Sequence, residues 1–198
     1  MNPLLRLLCL AVLFVPIGSC GPDSGSGGSS SPTTPPPPPP TTGDGMEGPT
    51  LTYPGGHPLN WLTDDAATLQ FEDEVLALVN AHRATIPVGA LVHDTTMRRC
   101  ARGHSRHMTQ TIHDFFAHTN PEGDSPFARM TQNGITYTTA GENIAAGYPT
   151  AAAVMTGWLN SPGHRANIEN ASFGRIGIGY APGTTATYFT YWTQVFAN

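Results

Sequence analysis

The amino-acid sequence predicts an α+β domain whose antiparallel sheet is covered by helices on both sides. Three observations carry this expectation. Apolar residues recur at helical spacing early in the compact region, as in Phe71, Val75, Leu78 and Val79. Two Ser-Pro pairs, Ser125-Pro126 and Ser161-Pro162, set a capping hydroxyl before a proline suited to a first helical position. The tail carries Tyr188 to Phe196, with Phe189, Tyr191 and Val195 on one strand face and Tyr188, Trp192 and Phe196 on the other. A strand apolar on both faces lies between two layers, and early helices with a late hairpin define the α+β class.

The chain opens with an export signal over residues 1–19: Arg6, then the apolar run Leu7 to Ile17, then the small residues Gly18 and Ser19. That run is too short to span a bilayer as a stable helix. Ile17-Gly-Ser-Cys20 resembles the lipobox of bacterial lipoproteins, with Ile17 where Leu is usual and Gly18 where Ala or Ser is. The resemblance implies that Cys20 carries lipid, that the membrane is a partner through it, and that the domain is extracytoplasmic. Gly21 rather than Asp after the cysteine resembles the pattern that sorts lipoproteins to an outer membrane. The alternative is an ordinary secretory signal followed by an incidental cysteine. Residues 20–60 are a linker rich in Gly, Ser and Pro, including the run Pro35 to Pro40. Such a stretch lacks the apolar surface to offset ordering entropy, and its prolines form a stiff polyproline II spacer.

The compact domain is expected over residues 66–198. Of 3 cysteines in the chain, Cys9 falls in the signal and Cys20 at the anchor. Cys100 is therefore alone, and no disulfide forms within the domain. It lies on a helical stripe with Met97, Ala101, His104 and Met108, which reads as a buried, inert thiol. A formal net charge of -5 and the lack of basic clusters argue against nucleic acid as a partner.

Thr63-Asp64-Asp65 offers N-caps for the first helix, which ends at Arg83 to Thr85 because Pro87 forbids its continuation. Residues 89–93 are short and extended. Asp94 or Thr95 starts a second helix reaching Gln110. Asn120-Pro121-Glu122-Gly123 fits a type I turn. The third helix opens at Ser125-Pro126 and stops at Asn133-Gly134, the fourth covers Ala151 to Leu159, and the fifth opens at Ser161-Pro162. Residues 174–180 form a strand in which Gly177 and Gly179 alternate, the sign of a second backbone approaching closely.

Three segments carry ionisable side chains framed by turn-forming or helix-starting residues: Phe116-Ala-His118-Thr-Asn-Pro-Glu-Gly123, Gly141-Glu142-Asn143-Ile144-Ala145 and Trp158-Leu-Asn-Ser-Pro-Gly-His164-Arg-Ala-Asn-Ile168. With Val79-Asn80 to Arg83, His104-Ser105, Ser125-Pro126-Phe127 and Tyr191-Trp-Thr-Gln-Val-Phe196, they resemble the CAP (SCP-like) superfamily in its bacterial branch. The resemblance covers about residues 70 to 198 in order. It implies an α-β-α sandwich with a central antiparallel sheet and an open cleft in which His118, Glu142 and His164 meet. These three are the candidate catalytic residues and the candidate ligands of a divalent metal, Zn²⁺ or Mg²⁺. The eukaryotic branch has a further His where Tyr191 stands and a second Glu near Ser161, and this sequence has neither.

Residue chemistry supports the set. His164 falls in the first turn of a helix, whose positive end disfavours its protonation and leaves a lone pair available. Two imidazoles and a carboxylate form a plausible Zn²⁺ set with an open position, and a carboxylate with waters suits Mg²⁺. The competing reading is a hydrogen-bonded polar cluster that closes the base of the cleft. Among the other histidines, His104 reads as a core residue or a hydrogen-bond partner of the site, and His107 as facing solvent. His57, His82, His93 and His113 carry no signal. Arg165 and Asn167 are expected to secure the fifth helix, and Arg175 to pair with an acidic neighbour.

These readings lead to a surface-tethered binding module taking a lipid, glycan or peptide, with or without a metal. One alternative is a metal-dependent, peptidase-like hydrolase of the cell envelope with Glu142 as base. The other is a structural or adhesive envelope protein. No Gly-x-Ser-x-Gly elbow is present, Cys100 lies within a helix and Ser161 is expected to act as a helix cap.

Overall fold

The structure is a computed structural model that describes residues 65–110, 115–183 and 187–198, together with the backbone of four short strands nearer the N-terminus. Those four are β1 (Leu8–Ala11), β2 (Val15–Pro16), β3 (Thr52–Tyr53) and β4 (His57–Pro58). They are followed by α1 (Ala66–Arg83), β5 (Val92–His93), α2 (Thr95–Met108), α3 (Pro126–Gln132) and β6 (Thr139–Ala146). The domain closes with α4 (Ala151–Asn160), α5 (Pro162–Glu169), β7 (Arg175–Pro182) and β8 (Thr190–Ala197).

The expected α+β class holds. The order β6-β8-β7 is antiparallel, with Glu142 opposite Val195 and Ile178 opposite Gln194. The sheet is mixed rather than purely antiparallel, because β5 joins β7 in parallel. β1 and β2 pair with the outer edge of β6, and β3 pairs with β4. The rest of the signal and linker, Cys20 included, lies outside the described residues, as does the N-cap candidate pair Thr63-Asp64.

Two layers flank the sheet. α1, α4 and α5 bury Val75, Val79, Val154, Trp158 and Ile168 against Ile176, Ile178, Trp192 and Phe196. On the other face α2 and α3 bury Met97, Cys100, Ala101 and Met130 against Ala140, Val195 and Ala197. β8 is thus buried along its whole length, as its two apolar faces require. Phe189 departs from that pattern: it precedes the strand and is exposed.

Helix starts follow local chemistry. Asp65 accepts from Thr68 N, Asp94 from Thr96 N and Met97 N, and Ser125 from Ala128 N, each closing orphan donors of a first turn. Gly134, at φ 73°, follows the C-cap of α3, a conformation that favours glycine. Ser161 corrects an expectation. It occupies the N-cap position of α5 but makes no side-chain cap bond there, so Pro162 alone supplies the local start signal.

α2 lies directly on β7. A Cβ on Gly177 would come within 2.1 Å of the Met97 carbonyl carbon, and one on Gly179 within 2.1 Å of Arg102 N. The approach anticipated from the alternating glycines is thus a helix backbone. Ser105 Oγ donates to the Gly179 carbonyl at 3.0 Å and lies 2.8 Å from Thr193 Oγ1, holding the helix in register. On the opposite layer, Arg83 donates to the carbonyls of Gly89, Ile168 and Asn170, placing a cation at the C-terminal end of α5.

Gly177→Ala and Gly179→Ala are each expected to cost about 3 kcal/mol or more, since the rigid helix backbone cannot yield. Gly174→Ala, where nothing lies within 4 Å of the added Cβ, should fall within about 0.5 kcal/mol of the parent. Denaturant unfolding of the three variants checks the contrast.

Candidate functional site

Glu142 sits in β6, a strand that the residue pattern did not announce, because Gly141 and Asn143 read as turn formers. Its side chain projects to the α2–α3 layer, where Ile144 and Ala146 also pack. The side chain of Asn143 turns to the opposite layer. The Glu142 carboxylate is buried and both oxygens are engaged: Oε1 lies 2.8 Å from His118 Nδ1, and Oε2 accepts from Arg129 Nη2 at 2.7 Å. Burial raises the carboxyl pKa, but Arg129, then His104 and His118, overcome it and hold the group at about 2.

Arg129 was missed at the level of sequence, and it organises the site. Besides Glu142, it donates through Nη1 to the carbonyls of His118 at 2.7 Å and Asp124 at 2.9 Å. A single buried guanidinium therefore ties α3 to β6 and to the 118–124 loop. Its only advance signal is its place inside Ser125-Pro-Phe-Ala-Arg129, one helical turn past a cap. The loop is braced internally by the expected turn, with Gly123 N bonded to the Asn120 carbonyl at 3.0 Å and Gly123 at φ 91°.

His118 is thereby fixed. The ionised Glu142 can only accept, so Nδ1 carries the hydrogen. Nε2 is buried and has no hydrogen-bond partner among the described residues. His104, on α2, lies behind the loop and donates from Nε2 to the Ala117 carbonyl at 3.0 Å. Burial lowers its pKa to about 3, with Arg129 adding to the effect, so the ring is neutral. His104 is thus a core residue that positions the residue before His118. His107 corrects its expectation: it is buried, packs edge-on to Phe115 at 5.2 Å and lies 3.5 Å from Glu122.

His164 is buried in α5, whose main chain is held to β6 from the layer opposite the Glu142 side chain. Asn143 Nδ2 donates to the His164 carbonyl at 3.2 Å and to Gln194 Oε1 at 2.9 Å, and Asn167 Nδ2 donates to Asn143 Oδ1 at 2.8 Å. Asn167 does secure α5, as expected, and Arg175 pairs with Asp94 at 3.1 Å. The geometry thus joins His118 directly to Glu142 and places His164 beside the neighbouring residue of the same strand.

Among the described residues, no group of three or more His, Cys, Asp or Glu side chains is arranged to hold a metal ion. Glu142 spends both oxygens on Arg129 and His118, so it stands behind the imidazole rather than beside it as a ligand. A three-ligand set of His118, Glu142 and His164 does not fit this arrangement.

A helix-covered β6-β8-β7 sheet, with Glu142 of β6 paired to His118 of the 118–124 loop, is the architecture of a domain of the cysteine-rich secretory protein type. The chain belongs to that family: the family model for CAP, the cysteine-rich secretory protein family, matches residues 76–196. It is 40% identical over 126 residues to the uncharacterized protein YkwD of Bacillus subtilis, spanning 64% of this chain and 46% of that one. An extracellular protein containing an SCP domain from Bacillus anthracis superposes with a TM-score of 0.59 at 30% identity, covering 66% of this chain and 41% of that one. An outer surface protein of Borrelia burgdorferi shares the fold at TM-score 0.57 and 20% identity, over 64% of this chain and 91% of that one. The chain therefore spans less than half the length of the Bacillus proteins it matches.

Two outcomes follow for stability. Glu142→Gln leaves Arg129 buried without its counter-charge and should cost about 3 kcal/mol or more in chemical denaturation. His104 and Glu142 both have pKa values depressed in the fold, from 6.5 to about 3 and from 4.5 to about 2. Each contribution is therefore complete above the unfolded value and is lost as pH falls through the window below it. Of these two groups only His104 becomes protonated in the unfolded chain between pH 6.5 and 4.5, so His104→Gln should flatten the stability profile there by up to about 1.4 kcal/mol per pH unit.

Proposed function

We propose that this protein is an exported, surface-tethered binding module in which His118 is the group that meets the ligand. One observation carries the reading: a buried imidazole is oriented by an ionised carboxylate on one nitrogen, while the other nitrogen has no partner among the described residues. Buried polar atoms are ordinarily satisfied, so an oriented and vacant Nε2 calls for a hydrogen-bonding ligand or water. Beyond Glu142 on the same face of β6, Ile144 and Ala146 pack with Phe115, Phe116 and Tyr188, and ligand classes compatible with such an apolar neighbourhood are a lipid, a glycan or a peptide.

The same geometry weighs against a hydrolase. A carboxylate held at about 2 is a weak general base at neutral pH, and both Glu142 oxygens already accept hydrogen bonds. A Zn²⁺ or Mg²⁺ ion is the second reading, favoured by Glu142 standing behind His118, a relation common to metal-binding histidines. Export and attachment through a lipid on Cys20 complete the proposal. Their support is the N-terminal sequence, together with relatives described as an extracellular protein and an outer surface protein.

Calorimetric titration with Zn²⁺ of the chelator-treated protein and of a His118→Ala, His164→Ala double variant separates the two readings. Indistinguishable weak heats from both proteins support metal-free binding, whereas stoichiometric heat lost in the variant supports a metal. A ¹⁵N-histidine NMR titration with peptides, glycan fragments and lipid vesicles should shift His118 Nε2 saturably for one class. No response from any class would sink the binding reading. Metal-dependent turnover of a peptide panel that vanishes in Glu142→Gln would replace it with the hydrolase.

A further inference from the structure

A cavity of about 590 Å³ opens where the first turn of α1, the last turn of α2 and the end of β7 converge. None of His118, Glu142 and His164 lines it. Its walls include Asp65, Phe71, Arg106, Gln110, Tyr180 and Pro182. Its size lies within the range of small-molecule sites.

The polar groups there are mostly donors without acceptors. The Arg106 side chain is only 21% exposed, and its one ion pair is a long contact of 4.0 Å to Asp65. Burial and the neighbouring Arg102 both press against its positive charge, which an added anion would relieve. The Asp65 carboxylate is already shared with Thr68 N as the α1 cap. Among the described residues, the Gln110 side-chain amide and the Tyr180 hydroxyl have no hydrogen-bond partner. A guanidinium, an amide and a phenol thus line one space with their donors unspent.

The rest of the lining narrows the ligand. Phe71 and Tyr180 pack with ring centroids 4.7 Å apart and form an aromatic wall. The negative face of an aromatic ring suits the C–H edges of a sugar, and the polar tips suit its hydroxyls. Asp65, so near Arg106, penalises a doubly charged group such as phosphate more than a single carboxylate. A long acyl chain would leave the Gln110 and Tyr180 donors buried and unsatisfied.

We propose that this cavity, distinct from the His118–Glu142 site, binds a carboxylated hexose of the kind found in acidic glycans, with Arg106 as its counter-ion. Gln110 and Tyr180 bond the ring substituents and Phe71 supports the apolar face.

The test is an NMR titration of the full chain with D-glucuronate, D-glucose, inorganic phosphate and octanoate. Glucuronate should give saturable shifts at the amides of Thr109, Gln110, Tyr180 and Ala181. Its affinity should exceed that of glucose at least about tenfold, the ratio expected for one charge-assisted hydrogen bond. Arg106→Gln should bring glucuronate down to the glucose level, and Gln110→Ala, which touches no ion pair, should weaken it several-fold in a protein of unchanged fold. Equal binding of glucose and glucuronate, tighter binding of phosphate or octanoate, or shifts confined to the neighbourhood of His118 and Glu142 would each overturn the assignment. The last outcome would leave the reading of the His118 site intact, so the two stand or fall separately.

Discussion

The buried carboxylate of Glu142, held between Arg129 and His118, is the interaction on which the candidate site depends. Taking a carboxylate and a guanidinium out of water costs several kcal/mol each, and only close geometry with further hydrogen bonds offsets that. Here the geometry is close and the remaining donors of Arg129 Nη1 are spent on two loop carbonyls. The result is a rigid joint among β6, α3 and the 118–124 loop. Its by-product is chemical: the ring of His118 can present only one nitrogen, in one tautomer, in one direction.

A second buried acid repeats the device at the other edge of the sheet. Glu72, on α1, takes Arg102 Nη2 of α2 at 2.6 Å and the Tyr180 main-chain N–H of β7 at 3.1 Å. It therefore joins the two helical layers across the edge beyond β5 and satisfies a strand donor that has no neighbouring strand. Arg83 does comparable work with carbonyls at the end of α5. This domain holds its layers with paired arginines and carboxylates, and its single cysteine is buried packing in α2. Such joints hold geometry by charge and directionality rather than by covalent closure, which makes them sensitive to acid.

The two proposed binding sites both use groups that this frame leaves over. At His118 an oriented ring nitrogen has no partner among the described residues; the cavity between α1 and α2 offers an under-paired cation beside an aromatic wall. α2 connects them physically. Its middle carries His104, which positions the loop before His118, and its last turn carries Arg106.

Much of the fold was legible in the residues because it rests on local chemistry. Asp65, Asp94 and Ser125 are caps because their oxygens reach amides two or three residues on, and Gly177 and Gly179 announce close packing because only a missing Cβ permits it. The site was legible in part: His118 and Glu142 do meet. What sequence alone could not yield was set by partners distant along the chain. β6 hides behind Gly141 and Asn143, whose turn preference is overridden by pairing with β8 and by the approach of Asn167. Ser161 has the extended backbone of an N-cap but its hydroxyl makes no cap bond, and His107 is buried because the 115–122 segment folds over it. Above all, the role of Arg129 exists only once α3, the loop and β6 are assembled. Local preference chooses the elements, but a buried charge acquires its meaning from neighbours that only the tertiary structure brings within reach.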